Sequence, residues 1–527
     1  MPLPRGSPNS PKPREREFPV TCPSRPTPVR SGTLLLALAT LGVAAEGPGI
    51  GNLTYTPHEV LTVISQINET NGAPSGHSLV AMHNGWLAVI GSKDGGKGDG
   101  HLSFFDVSDP RKPVLVHHQY DAATRNLREA HTIGFTTWKG RSLAVLQGMA
   151  GIQVWDWSDP RAPALLSDTP LPPMKGGDYG QTPWWTSLQF PYLYVGGLDT
   201  GLHIVDLRDP AKPVVVARIP PAELGGILPA TLFAVGNLLV AMAVEGNRGL
   251  VTLSIADPLR PMVLDRIPQT GKAYAGMFNG TRFVMASKNP LNLAKGEKPP
   301  EPQPAMTRDV LAPYNAVHVY DLTHPEQIVY LGNSGPAGGQ GGYVAIQDGR
   351  AYVGMSTNFA LVDLTRPDGF PVLTQVKPGK TAALPNPKAD YDFCTPLANL
   401  IVSSSDHGDG SYLLPAGTDP DRTPPAINRV IPAPGATQQA RTSRVGLTVT
   451  DALDNRSLTS ATVFLRPVGG APVEAALSYQ TGIINLSPVE ALAAGTTYEL
   501  VVPAGGLRDL GGNAVATTFT SRFTTAP

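Results

Sequence analysis

Cysteine is almost missing from this chain, with Cys22 and Cys394 the only two among 527 residues. That number cannot build a disulfide framework or a thiolate zinc site. Cys394, in the stretch Tyr391-Asp392-Phe393-Cys394, reads as a small buried hydrophobe. Charge is scarce as well: 16% of residues are charged and the formal net charge is −1, which gives no electrostatic ground for a nucleic-acid partner. The apolar run from Thr33 to Ala45 is too short for a permanent membrane span, so no transmembrane anchor is expected in the mature chain. No nucleophile motif, phosphate loop or His/Glu zinc motif occurs, and no catalytic residue is assigned.

Turn formers are abundant instead. Glycine (56) and proline (54) make up about a fifth of the chain, beside 41% hydrophobic residues. A disordered chain would be poorer in apolar residues, and a helical bundle would carry far less glycine and proline. Many short strands joined by turns fit this composition. The length allows three or four ordinary domains, or one large repeat array plus a smaller module.

Residues 1–30 carry nine prolines and six Arg/Lys ahead of the apolar run that ends in Gly42-Val43-Ala44-Ala45. A basic flank, a short apolar core and small residues describe a secretory signal with cleavage after Ala45, which makes 1–45 an N-terminal extension and signal peptide. The Pro-rich stretch is long for such a signal, so a start codon near Val20 or Val29 is expected.

The strongest pattern is a repeat. Phe105-Asp106-Val107-Ser108-Asp109-Pro110 returns fifty residues later as Trp155-Asp156-Trp157-Ser158-Asp159-Pro160, and after another fifty as Val205-Asp206-Leu207-Arg208-Asp209-Pro210. Weaker copies stand at Ser254 to Pro258, Asp321 to Pro325 and Asp363 to Pro367. In each, an alternating strand runs into an Asp-Pro turn, and a β-rich run such as Tyr192-Leu193-Tyr194-Val195 precedes the motif. Seven such runs occur, at residues 87, 143, 192, 238, 283, 352 and 400. A period of this length with strand-like segments only predicts a propeller, here with seven blades of four strands. The seventh unit lacks a fourth strand, and Val60 to Ile64 is expected to fill that place and close the ring.

The run Gly201 to Pro213 resembles the LVIVD repeat of bacterial and archaeal surface or secreted propellers. The resemblance covers residues 58–420 and implies a fold rather than an activity. His324 and Arg366 stand where earlier copies have Asp109, which puts the turn chemistry there in question. After Thr418-Asp419-Pro420-Asp421-Arg422-Thr423-Pro424-Pro425 the period stops, and short alternating strands over 423–527 (Val445–Val449, Ala461–Leu465, Tyr498–Val502, Phe519–Phe523) predict a β-sandwich. Its Asp509-Leu510-Gly511-Gly512-Asn513 turn and closing Phe523-Thr524-Thr525 resemble the bacterial Ig-like domain of S-layer and other envelope proteins. That resemblance implies a spacer or adhesion module. The predicted fold class is therefore all-β, a seven-bladed β-propeller followed by an Ig-like β-sandwich.

A propeller gathers its ligands from loops of one face. The loops before the innermost strands, and those between second and third strands, carry His77, His131, Trp184, Trp185, Tyr274 and His407 as ligand-binding candidates. With them stand Asp94, Asp99, Asp392, Asp406 and Asp409 as candidate metal ligands, whose oxygens suit calcium, the imidazoles suiting zinc. Trp184-Trp185 reads either as an aromatic platform for a sugar or as packing at the channel mouth. Asp509 and Asn513 read as a side-chain-stabilised turn, with calcium ligation the alternative. Lys288 to Tyr314 is an insertion that reads as an extended arm. These features describe an exported bacterial cell-surface or extracellular protein that binds a protein or glycan. A hydrolase or lyase with a divalent cation on the loop face, and a structural envelope component, remain alternatives.

Because the Asp-x-x-Asp-Pro carboxylates recur in unit after unit, they read as scaffold. Asp106→Ala, Asp156→Ala and Asp206→Ala should each cost about 1 kcal/mol in a denaturant titration, the scale of one lost side-chain hydrogen bond. Ligand affinity of the folded fraction should stay unchanged.

Overall fold

The Asp-Pro motif folds as its chemistry dictates. The first aspartate of each copy turns its Oδ1 onto the amide two residues ahead, so that Ser108, Ser158 and Arg208 donate to Asp106, Asp156 and Asp206 at 2.9, 3.0 and 2.9 Å. The second aspartate does the same for Arg111, Arg161 and Ala211 at 3.1, 2.9 and 3.1 Å. Both are local side-chain-to-backbone turns that hold the chain in a bend. In the weaker copies Asp321 and Asp363 keep the first bond, to Thr323 and Thr365. His324 loses the second, yet its carbonyl still accepts from the Gln327 amide at 2.8 Å, as Asp109 does from Lys112 at 2.9 Å. The turn therefore survives there on backbone bonds.

The computed structural model describes residues 45–527 except 68–74, 94–97, 176–179, 245–248, 268–274, 288–315, 339–340, 357, 367–368, 377–390 and 405–409; the side chains of 75–78 and 93 are likewise outside it. The expected signal at 1–45, save its last residue, and the 288–314 insertion lie outside the described residues. Among these, the only helical turns are short 3-10 pieces, and all else regular is strand.

The strands that precede and flank the motif sort into four-stranded antiparallel units, each running outward from an innermost strand. Units one to seven begin at Ser75–His83, Ile133–Trp138, Trp185–Gln189, Thr231–Val235, Gly276–Asn279, Val344–Gln347 and Phe393–Leu397. This is the strand order of propeller blades. Inner strands such as Trp185–Gln189 are buried throughout, whereas outermost strands such as Val214–Ile219 are mostly exposed. In six units the register shifts between third and fourth strands at the same motif position, for example at Ile204/Val205 and Val154/Trp155. A bulge there increases the twist that lets the outer strand turn away from the axis.

Closure follows the expectation in kind but not in register. The fourth strand of unit seven is Ser65–Ile67, paired with Ser411–Pro415, rather than Val60 to Ile64. The earlier residues still belong to the same seam, because the amides of Leu61 and Ile64 donate to the carbonyls of Pro415 and Leu413, both at 2.9 Å. Leu61, Val63 and Ile64 sit against buried clusters of this unit, so apolar character reaches further than the strand itself.

The C-terminal module pairs Ile427–Ile431, Val445–Val449, Ile483–Pro488 and Ala475–Gln480 in one sheet, and Phe464–Pro467, Thr497–Val502 and Phe519–Thr524 in the other. Three of these, Val445–Val449, Thr497–Val502 and Phe519–Thr524, match the expected strands closely. Ala461 to Val463 forms a turn instead. Propeller and module form one compact unit.

The module's first sheet continues into the propeller. Ser478 and Tyr479 pair with Thr136 and Phe135 on the innermost strand of unit two, giving a sheet of eight strands. The hairpin ends in Thr481 and Gly482, at φ 45° and 74°. Two consecutive positive φ values define the tight hairpin turn that glycine favours. This tip enters the central channel. Gln480 donates from Nε2 to the Thr186 carbonyl at 2.6 Å and to Thr132 Oγ1, and its Oε1 accepts from the Leu188 amide at 2.9 Å. Asn485 likewise accepts from the Gly236 amide at 2.8 Å and donates to the Ala234 carbonyl at 2.9 Å. Around the rim, Asn455 accepts from the Asn84 amide, Arg429 donates to the Leu322 carbonyl, and the Asp348 amide donates to the Thr450 carbonyl. All lie on the face of the Asp-Pro turns.

Deleting residues 46–66 should lower the unfolding temperature sharply in a calorimetric scan, since unit seven would lose most of its fourth strand and expose an edge. An unchanged transition would show that the N-terminal segment does not close the ring.

Candidate functional site

With one face covered by the module, the opposite face is the one that presents loops. Its centre is built by residues that enter the innermost strands. His131 precedes Ile133–Trp138, Trp184 precedes and Trp185 opens the inner strand of unit three, Tyr343 precedes Val344–Gln347, and Phe393 opens that of unit seven. Their rings form a stack. His131 lies 4.6 Å from Trp184 at 22°, and 5.6 Å from Tyr343 at 24°. Tyr343 in turn lies 3.9 Å from Phe393 at 5°, and 6.1 Å from Trp185 at 14°. Near-parallel rings at these separations gain both burial and favourable quadrupole contact.

The stack joins units two and three to units six and seven, and all five residues are buried, Trp184 and Trp185 at 6% exposure each. The two tryptophans thus offer packed edges to the surface rather than an open platform. His131 Nδ1 stands 2.9 Å from the Trp184 carbonyl oxygen, a bond in which it donates when it carries the proton, and 3.2 Å from Gln147 Nε2, toward which it accepts when it does not. That bond fixes the ring plane on which the stack rests.

A cavity of about 120 Å³ lies at the channel centre, lined by His131, Trp185, Tyr343 and Phe393, by Leu79, Ile133 and Phe135, and by Leu453, Tyr479 and Thr481 of the module. Its lining is mainly apolar. Sites for drug-sized ligands start at roughly 300 Å³, so the cavity suits side-chain packing better than a sugar.

The other sequence candidates are not gathered here. His77 belongs to the strand Ser75–His83, but its side chain, together with Tyr274, His407, Asp94, Asp406 and Asp409, lies outside the described residues. Asp99 is exposed and accepts from Arg125 Nε at 3.3 Å. Asp392 is 2% exposed, and its carbonyl accepts the Tyr343 amide at 2.9 Å, tying unit seven to unit six. The backbones meet so closely that a Cβ on Gly354 would stand 2.0 Å from the Asp392 carbonyl oxygen. Tyr343 and Phe393 were missed as site residues, although both sit at the register that Trp184 and Trp185 occupy in their own unit, where an aromatic is a usable signal.

A larger cleft, about 640 Å³, opens between the rims of units two to four and the module. Lys139, Arg208, Arg441 and Arg444 line it, with Glu490 opposite in charge. Arg208 and Arg444 stand 5.6 and 5.4 Å from the Tyr192 ring, and Arg208 donates to the Tyr192 hydroxyl at 2.8 Å. An aromatic surface between two guanidinium groups can hold an anionic or flat ligand.

Tyr343→Ala removes the central ring of the stack. It should cost about 3 kcal/mol, in the range of large aromatic truncations in cores, and increase acrylamide quenching of tryptophan fluorescence. Unchanged quenching would show that the stack does not shield Trp184 and Trp185.

Comparison with known proteins agrees with the repeat and with the module. Similar solved structures include three at low identity. The computationally designed Ika8 protein is 10% identical, covering 67% of this chain and 99% of its own, with TM-score 0.39. The Cps50 (Swd1) β-propeller domain of Myceliophteria thermophila is 10% identical over 66% of this chain and 99% of its own, with TM-score 0.43. A chain of the mitotic checkpoint complex is 9% identical over 76% and 98%, with TM-score 0.38. Among curated proteins none matches. Within the chain itself, residues 191–219 match the LVIVD repeat and residues 421–525 match the bacterial Ig-like domain, so an LVIVD-type propeller carries an Ig-like module at its C-terminal side.

Proposed function

We propose that this is an exported bacterial binding or interaction protein, working at the cell surface or outside the cell, whose partner is a protein or glycan held on the loop face opposite the Asp-Pro turns. The observation that supports this is the docking of the Ig-like module. It occupies the Asp-Pro face and fills the channel from that side, which leaves the face of His131, Trp185 and Tyr343 as the one free to meet a large partner. Binding surfaces favour loops on a rigid scaffold, and the repeated turns on the covered side are too alike to recognise an asymmetric ligand. The module, instead of hanging from a linker, acts as a stand that fixes how the open face is presented. The Ig-like match and the LVIVD repeat are consistent with a surface or extracellular protein. Export requires cleavage after Ala45, which N-terminal sequencing of secreted protein reads directly.

The second reading is a small anionic ligand in the cleft of Lys139, Arg208, Arg441 and Arg444, favoured by its size and charge. A glycan and protein array, followed by affinity measurement on the ligand found, separates the two. His131→Ala combined with His407→Ala should weaken binding at least tenfold in a folded protein. Retained affinity in that variant, with loss in Lys139→Ala and Arg208→Ala, would move the site to the cleft.

A further inference from the structure

Where the module meets unit six, three carboxylates converge. Asp348 lies in the turn after the innermost strand Val344–Gln347, Asp421 in the segment that joins the two domains, and Asp451 just beyond the module strand Val445–Val449. One carboxylate oxygen from each lies within 4.8 Å of the others. Two oxygens on opposite sides of a calcium ion, each at about 2.4 Å, stand about as far apart.

The backbone holds each aspartate in place. The Asp348 amide donates to the Thr450 carbonyl at 2.8 Å, and the Asp421 amide donates to Asn52 Oδ1 at 2.7 Å. Asp451 Oδ1 accepts the Ala452 amide at 2.6 Å. Its Oδ2 is the telling atom: Asp451 is 1% exposed, and Oδ2 is buried without a hydrogen-bond donor among the described residues. Asp421 Oδ2 is also buried without one. Leaving a carboxylate oxygen dry and unpaired is costly, and crowding like charges around it adds to the cost.

The surroundings relieve that charge only in part, through Thr423 and Arg350 beside Asp348 and the Ala452 amide at Asp451. Burial, and then Asp348, Asp421 and Asp509, push the Asp451 carboxyl up to about 9. Burial, with Asp421 and Asp509 behind it, raises Asp348 to about 6. Asp509 is itself anchored through both oxygens, accepting from the Asn513 amide at 2.8 Å and from Asn513 Nδ2 at 3.0 Å. It therefore stands as a fixed fourth charge behind the three.

We propose that Asp348, Asp421 and Asp451 bind a calcium-like divalent cation that fastens the Ig-like module to the propeller. Oxygen-only, anionic donors select a hard cation, and the set includes no imidazole or thiolate to favour zinc. One ligand belongs to the propeller, one to the joint and one to the module, so the ion links all three. The site is separate from the loop face and does not depend on the ligand bound there.

The test uses the full chain, stripped with EDTA and dialysed. Calcium chloride at about a hundred times the dissociation constant shifts the folding equilibrium about a hundredfold, so the unfolding temperature should rise by a few degrees, with one ion bound per chain in a calorimetric titration. Terbium alone should bind at the same place, with emission sensitised by Tyr479, which feels the Asp451 charge. Asp451→Asn should abolish the calcium-dependent rise and the terbium signal while folding as well as the stripped protein. Asp348→Asn, at a half-buried position, is the second variant should the first fail to fold. An unfolding temperature indifferent to millimolar calcium would overturn the proposal, as would a rise kept in both variants, which would place the ion elsewhere.

Discussion

A ring of outward-running strands leaves a channel on its axis, and what fills that channel governs the rest of this molecule. Here the filling comes from outside the ring. A tight hairpin of the C-terminal module pairs with the inner strand of unit two and carries Gln480 against the inner strands of units two and three. Once a buried amide has both its donor and acceptor matched to fixed backbone groups, no other placement satisfies them. The hairpin thus sets where the whole module sits.

Two consequences follow from that placement. The face of the Asp-Pro turns is taken up by Asn455, Asn485, Arg429 and Thr450 of the module, which bond backbone groups of several units. The channel is also bounded from both ends, by Tyr479 and Leu453 on one side and by the stacked rings of His131, Trp185, Tyr343 and Phe393 on the other. A ring sealed in this way, with its last unit completed by Ser65–Ile67, needs no disulfide to resist opening, and Cys394, the one cysteine among the described residues, is buried.

The loop face is the surface that remains open. The loop face keeps its asymmetry because His131, Trp184, Tyr343 and Asp392 come from different units and break the repeat. The Asp-Pro aspartates spend both local bonds on their own turns. At the module joint, by contrast, carboxylates from three segments are held together against their mutual repulsion.

Residues close in sequence were legible from sequence. The Asp-Pro turns are bonds from residue i to i+2, and the strands announce themselves by alternation, so the propeller, its repeat and the sandwich could be read directly. Closure was legible too, though placed at Val60 to Ile64 instead of Ser65–Ile67, because apolar pattern marks which segment packs and not which amide meets which carbonyl. His131, Trp184 and Trp185 could be picked out by residue type; Tyr343 and Phe393 carried the same register signal, but the stacking that links them to His131 is decided by the fold. Nothing in the local sequence around Gln480, Asn485 or Asp451 marks them as special. Their partners lie hundreds of residues away or in another domain, and the burial that makes an amide or a carboxylate matter exists only after both domains have folded against each other.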